Sequence, residues 1–282
     1  MVSQLRIFGD LKSTTVSVRG KQMADYLGAS FNEPANAEDI VICMKCLPES
    51  FRGLRKVYID PGDDPVFVKH VVNKMSVGCC EFDIIASQER MARMLRTLTG
   101  RRVIVIPEFH CNHERQRTCR PDRSKVVWVG NRLGIDCSLL WLRERFRYDL
   151  GMELRVLFYD SGEELTREQL CNELMEACIG IDFRKDKHAS FRHPDMLTYL
   201  KVINYAAFGM PTVCYPREIY LTQGFASCIH PVFDVDGIIE ACKLLKEDND
   251  YYDMLSARAV ELAENYHISK TAECYKALLE ER

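Results

Sequence analysis

The chain has 282 residues, of which 47% are hydrophobic and 28% charged, with a formal net charge of −3. This is an ordinary globular balance, long enough for two domains of about 100–150 residues each, and it excludes a disordered chain or a molecule-wide attraction for nucleic acid. Arg6, Asp10 and Lys12 interrupt any apolar leader, and the longest uncharged run, residues 202–216, is too short to span a bilayer.

Thirteen cysteines without a secretory context predict reduced thiols in a cytoplasmic protein. The first half alternates strands and helices. Residues 4–8 predict a strand, followed by a loop through Ser13, Thr14, Thr15 and Ser17 to Arg19 and Gly20; residues 21–27 predict a helix. Residues 39–44 predict an apolar strand ending at Lys45, and residues 56–59 another that runs into Asp60-Pro61-Gly62-Asp63-Asp64. A strand at 83–87, a helix at 88–98 and a strand at 102–107 complete the set. Such alternation predicts a parallel sheet with right-handed crossovers, whose ligands gather at the carboxyl ends of the strands. Lys45, Asp60, Asp63, Ser87 and His110 fall near such ends, and Arg19 lies on the loop after the first strand.

A polar stretch at 119–125 containing Pro121 predicts a domain boundary. A fresh strand at 126–129 then meets Gly130-Asn131-Arg132, where a glycine lets backbone approach a ligand and an arginine fork can grip phosphate. A strand at 154–159, a helix at 167–177 and a strand at 179–182 ending in Asp182 follow. The polar segment 183–195, which holds Arg192, leads into residues 198–216. Here Ala206 and Ala207 favour helix, Gly209 suits a left-handed C-terminal cap, Pro211 stops the helix, and Thr212, Val213 and Tyr215 favour strand. Lys201 in the first turn opposes the helix dipole unless an anion lies between them, as a phosphate readily does. A solvated lysine is the ordinary alternative. Asp236 is expected to cap a helix at 237–246, and helices at 251–266 and 270–280 end the chain.

The spacing of Lys201, Tyr205, Ala206, Gly209, Pro211 and Val213 resembles the donor-site element of GT-B glycosyltransferases, closest to the large retaining group called family four and its small phage and bacterial relatives. Tyr58-Ile59-Asp60-Pro61-Gly62-Asp63-Asp64 is similar to the aspartate-rich strand end of their acceptor domain, while Glu108 and Phe109 depart from the family's usual loop after Ile-Pro. The resemblance implies an α/β, GT-B type chain of two Rossmann-like domains whose parallel sheets face a central cleft. Residues 1–122 would form the acceptor-side domain, 123–267 the nucleotide-sugar domain, and 268–282 a helix crossing back to the first. It implies a retaining, metal-independent hexosyltransferase whose co-substrate is a nucleotide sugar, UDP-linked first, with no bound cofactor. Gly130, Asn131, Arg132, Arg192 and Lys201 would hold the diphosphate, and Asp182, Tyr220 and Thr222 the donor nucleoside and sugar. Asp60 or Asp63 would orient or deprotonate the acceptor hydroxyl, beside Arg19, Lys45 and His110. For both aspartates, turn formation beside Gly62 is the competing role, and for Arg192 a solvated loop.

No metal is assigned: Cys43-Met44-Lys45-Cys46 lacks a second pair at ribbon spacing, and His110, Cys111, His113 and Cys119 read as buried or loop groups. Residues 90–125 hold ten basic residues against Glu108, Glu114 and Asp122, a local charge of +7. Arg115, Arg117, Arg120 and Arg123 are the candidate nucleic-acid contacts, against a solvated and partly paired surface. Hydroxymethylated pyrimidine in DNA, a form of DNA modification, is the leading acceptor; a glycan or lipid-linked acceptor is the alternative. A nucleotide-sugar enzyme that is not a transferase and an inactive binding module of the same fold remain open, as does the oligomeric state.

Overall fold

Short apolar runs recur along the chain and become parallel strands. The computed structural model describes residues 4–9, 16–46, 54, 56–62, 82–117, 123–130, 138–158, 166–183 and 198–280. Two units emerge: Met1–Phe109 with Ala189–Thr198 and Ile268–Arg282, and His110–His188 with Tyr199–His267.

The first unit holds β1 (Leu5–Gly9), α1 (Gln22–Leu27), β2 (Ser30–Phe31), β3 (Ile40–Met44), β4 (Lys56–Asp60), β5 (Phe82–Ala86), α2 (Glu89–Thr99) and β6 (Val103–Val105). Its strands lie in the order β2-β1-β3-β4-β5-β6, each pair parallel. Every residue of β3 and β5 is buried, as a parallel sheet covered on both faces requires. One turn of π-helix at Val16–Lys21, where the sequence predicts loop, delivers Arg19 into the interior. The helix Ile268–Glu280 also packs in this unit, through Ile268, Ala272, Tyr275 and Leu278 at helical spacing.

The second unit holds β7 (Lys125–Gly130), α3 (Leu139–Leu150), β8 (Glu153–Phe158), α4 (Arg167–Glu176), β9 (Ile179–Asp182), α5 (Leu200–Ala207), β10 (Thr212–Cys214), α6 (Glu218–Thr222), β11 (Ile229–Pro231), α7 (Val235–Glu247) and α8 (Asn249–Ala263); Ile268–Glu280 is α9. Its order is β11-β10-β9-β7-β8, again all parallel. The chain leaves β7 for β8 on one side, then returns to β9 on the other. That reversal is a topological switch point, the place in an open parallel sheet where ligands bind outside the carboxyl ends of the strands.

Some sequence expectations move. Asp234, not Asp236, caps α7: its extended backbone lets Oδ1 accept from Gly237 N–H at 2.8 Å, while Asp236 sits in the first turn. Gly209 adopts φ +74° just past α5, as the cap reading expects. Among the described residues, no helix is long and apolar enough to cross a membrane.

Candidate functional site

The strongest constellation lies at the switch point of the second unit. Tyr205 on α5 sets it up. Its hydroxyl accepts from Val129 N–H at 3.1 Å and donates to the Ile181 carbonyl at 3.3 Å, tying α5 to both β7 and β9. The ring lies so close to the sheet that a Cβ on Gly180 would stand 2.4 Å from it, so only glycine fits there. Lys201 is one turn before Tyr205, hence on the same face of α5, and reaches the carboxyl ends of the strands. Its Nζ pairs with Asp182 Oδ1 at 3.1 Å and stands 4.8 Å from the centre of the Trp128 ring. A Cβ on Gly130 would come within 2.8 Å of that Nζ and of the Trp128 ring, so glycine keeps the lysine's path open. The Tyr220 hydroxyl donates to the other oxygen of Asp182.

Asp182 is fully buried and Lys201 is 14% exposed. A buried carboxylate gripped from two sides holds the ammonium in place at the rim, where an anion can meet it. Of the sequence candidates, Gly130, Asp182, Lys201 and Tyr220 are thus brought together. Thr222 is not: it is exposed and donates to the Ile219 carbonyl at 3.3 Å. Asn131, Arg132 and Arg192 lie outside the described residues. The sequence reading gave no site role to Trp128 or Gly180, and took Tyr205 only through its four-residue spacing from Lys201.

A second polar centre lies inside the first unit. Arg19 Nε pairs with Asp60 Oδ2 at 2.6 Å, and its NH2 group donates to the Ile106 carbonyl at 2.8 Å. The other Asp60 oxygen accepts from Gly62 N–H at 2.9 Å, and its backbone carbonyl from Lys45 N–H at 3.0 Å. Burial works against the Arg19 charge, but Asp60, then Tyr275 and Glu108, outweigh it and hold the guanidinium above its ordinary range. Both carboxylate oxygens of Asp60 are therefore engaged within the protein, in a residue only 3% exposed. Asp63, the other candidate base, lies outside the described residues.

The chain matches no protein-family profile and no curated protein sequence. Solved structures do match. HepE from Anabaena, in complex with UDP-glucose, aligns with a TM-score of 0.61 over 99% of this chain and 100% of its own, at 10% identity. A glycosyltransferase from Rickettsia africae aligns at 0.55 over 100% and 99%, also at 10% identity. The chain has the GT-B fold. The pneumococcal O-GlcNAc transferase GtfA, in complex with UDP and GlcNAc, shares this fold at a TM-score of 0.57 and 12% identity over 87% of this chain; the match spans 57% of GtfA.

Two of the four arginines expected to contact nucleic acid are paired within the second unit of this GT-B chain. Arg115 pairs with Glu264 at 3.1 Å. Arg123 bonds Asn249 at 2.7 Å and Asp253 at 3.4 Å and stacks over Tyr252 at 4.0 Å. Arg117 is exposed, and Arg120 lies outside the described residues. The excess of charge counted along residues 90–125 is thus partly cancelled by carboxylates distant in sequence.

His110, expected on the acceptor side, is buried in the second unit instead. Its backbone N–H donates to the Tyr266 carbonyl at 3.1 Å, its ring lies edge-on to His267, and His267 Nε2 meets the His113 carbonyl at 2.9 Å. Burial, then His267, His113 and Arg115, pushes His110 down to about 3; burial, then Arg167, pushes His113 down to about 4. Both stay neutral when folded, whereas the unfolded chain protonates them below about 6.5. Their stabilisation is complete above that value and is lost as pH falls through the window down to 4 and 3. For His110 alone the slope is about 1.4 kcal/mol per pH unit. Urea midpoints are expected to fall between pH 7.5 and pH 5, with a smaller drop in His110→Phe; an equal drop in that variant would remove His110 from the account.

Proposed function

We propose that the chain transfers a sugar from a nucleotide-diphosphate sugar, UDP-linked in the first instance, to a hydroxyl acceptor. The observation that carries this reading is Lys201, held by Asp182 at the switch point of a GT-B nucleotide-side unit with glycine cleared beneath it. As the bond to the sugar breaks, negative charge grows on the leaving diphosphate. A pre-placed ammonium offsets that charge without reorganising at the moment of reaction. Arg132 and Arg192 join it by sequence position, so cationic side chains could carry the charge in a metal-independent reaction. Retention of configuration rests on the family resemblance. That HepE and GtfA were crystallised with UDP-glucose and UDP supports the choice of donor.

Asp60 acts in this scheme as the anchor of Arg19, a positioning role, which leaves Asp63 as the candidate base. DNA as acceptor loses the support of Arg115 and Arg123, whose charges are paired within the protein. It stands beside glycan and lipid-linked hydroxyls as one acceptor to assay.

The test is calorimetric titration with UDP, GDP, dTDP and ADP, followed by release of the bound nucleotide from its sugar donor with and without each acceptor. Binding of one nucleotide and acceptor-dependent release are expected. Release without acceptor but with a rearranged sugar would mean a non-transferase enzyme. Binding without turnover would mean an inactive module, and no binding of any nucleotide would overturn the donor site itself.

A further inference from the structure

The outer face of α3 combines features that the sugar-transfer reading leaves unused. Leu142, Phe146 and Leu150 point inward, at a four-residue spacing. On the outside, Leu140 is 69%, Trp141 39% and Tyr148 75% exposed, a concentration of large apolar groups on one short helix. Burying such groups in water-free surroundings is favourable, and their persistence in water marks a contact surface.

Charge lies among them. Arg145 is taken by Asp149 and by Asp236 at 3.3 Å. Arg155 on β8 is shared between Glu153 at 3.4 Å and Glu173 at 3.6 Å. Arg143 and Arg147, one helical turn apart, have no ion-pair partner among the described residues. Both line a cavity of about 670 Å³ beside β8, the edge strand of its sheet.

We propose that this face docks the chain on an anionic phospholipid surface. Arginine forks suit headgroup phosphates, which they grip bidentately. Trp and Tyr suit the interfacial layer, where an apolar ring meets hydrocarbon and a polar edge stays wet, and Leu140 gains by entering the acyl boundary. Charge complementarity selects the lipid: the whole protein is −3, so attraction to a negative membrane must be local, and Arg143 and Arg147 supply it, outweighing Glu144, the exposed acid between Leu140 and Tyr148 on the same face. A nucleic acid would use the arginines but give nothing to Leu140. The binding is peripheral, and it stands or falls apart from the donor site.

The chain's two tryptophans make the test direct, because Trp128 is fully buried and Trp141 is not. The full chain is mixed with phosphatidylcholine vesicles with and without phosphatidylglycerol. Expected are co-sedimentation and a blue shift of tryptophan emission only with the anionic lipid. Trp141→Phe should abolish the shift, and Arg143→Glu/Arg147→Glu should weaken co-sedimentation at least about tenfold, with thermal midpoints of both variants near the parent. No co-sedimentation with anionic vesicles would overturn the proposal, as would binding indifferent to the charge reversal. Duplex DNA that binds through the same arginines and displaces the vesicles would overturn it in favour of a nucleic-acid surface.

Discussion

Lys201→Ala is expected to lower affinity for the preferred nucleotide diphosphate by about tenfold to a hundredfold, the worth of a charge-assisted hydrogen bond to phosphate. It should also destabilise the protein by about 3–5 kcal/mol, because it leaves Asp182 buried with its countercharge gone. Lost affinity could then be blamed on a damaged fold. Lys201→Ala combined with Asp182→Asn separates the two effects. The amide still accepts from Tyr220, no charge remains buried, and much of the lost stability should return. Nucleotide affinity should not return, since the ammonium itself is missing. Calorimetry beside thermal melts of the parent, both single variants and the double variant reads both quantities. Parental affinity in Lys201→Ala would sink the donor-site assignment; recovered affinity in the double variant would reduce Lys201 to a structural partner of Asp182.

The position of Lys201 was legible because each of its signals is local. A helix former, a left-handed glycine and a proline in sequence fix where α5 ends, and so which turn Lys201 occupies. The alternation of apolar runs with helices was equally local, and the two parallel sheets follow from it. What escaped was set by distance along the chain or by competing choices. The run Leu139-Leu140-Trp141-Leu142 blurs the helical period of α3, of which Leu142 is buried while Leu140 and Trp141 are exposed. Asp234 and Asp236 are both good caps, and only the backbone angle at Asp234 decides between them. Charge counting over residues 90–125 missed Glu264 and Asp253, which neutralise Arg115 and Arg123 from far along the chain. Arg19 read as a loop residue, because its partner Asp60 is distant in sequence although only 2.6 Å away in space.

That pair carries the second large effect. Arg19 and Asp60 are 5% and 3% exposed, so their attraction acts with little solvent screening, yet each gave up hydration to be there. Removing one partner strands the other. Arg19→Met and Asp60→Leu are each expected to cost about 3–5 kcal/mol, whereas the two together, Arg19→Met/Asp60→Leu, should cost much less than the sum of the single losses. The double variant still forfeits the donation to the Ile106 carbonyl, so it should remain somewhat below the parent. Denaturant melts of the four proteins give the coupling directly, and additive losses would show that the pair contributes no interaction of its own. The same proteins decide what Asp60 does. If it anchors Arg19, transfer activity should follow stability and be largely kept in the double variant below its melting transition. If turnover with acceptor collapses there while nucleotide binding is intact, Asp60 belongs to the chemistry after all, and the sequence expectation of an acceptor base is the better one.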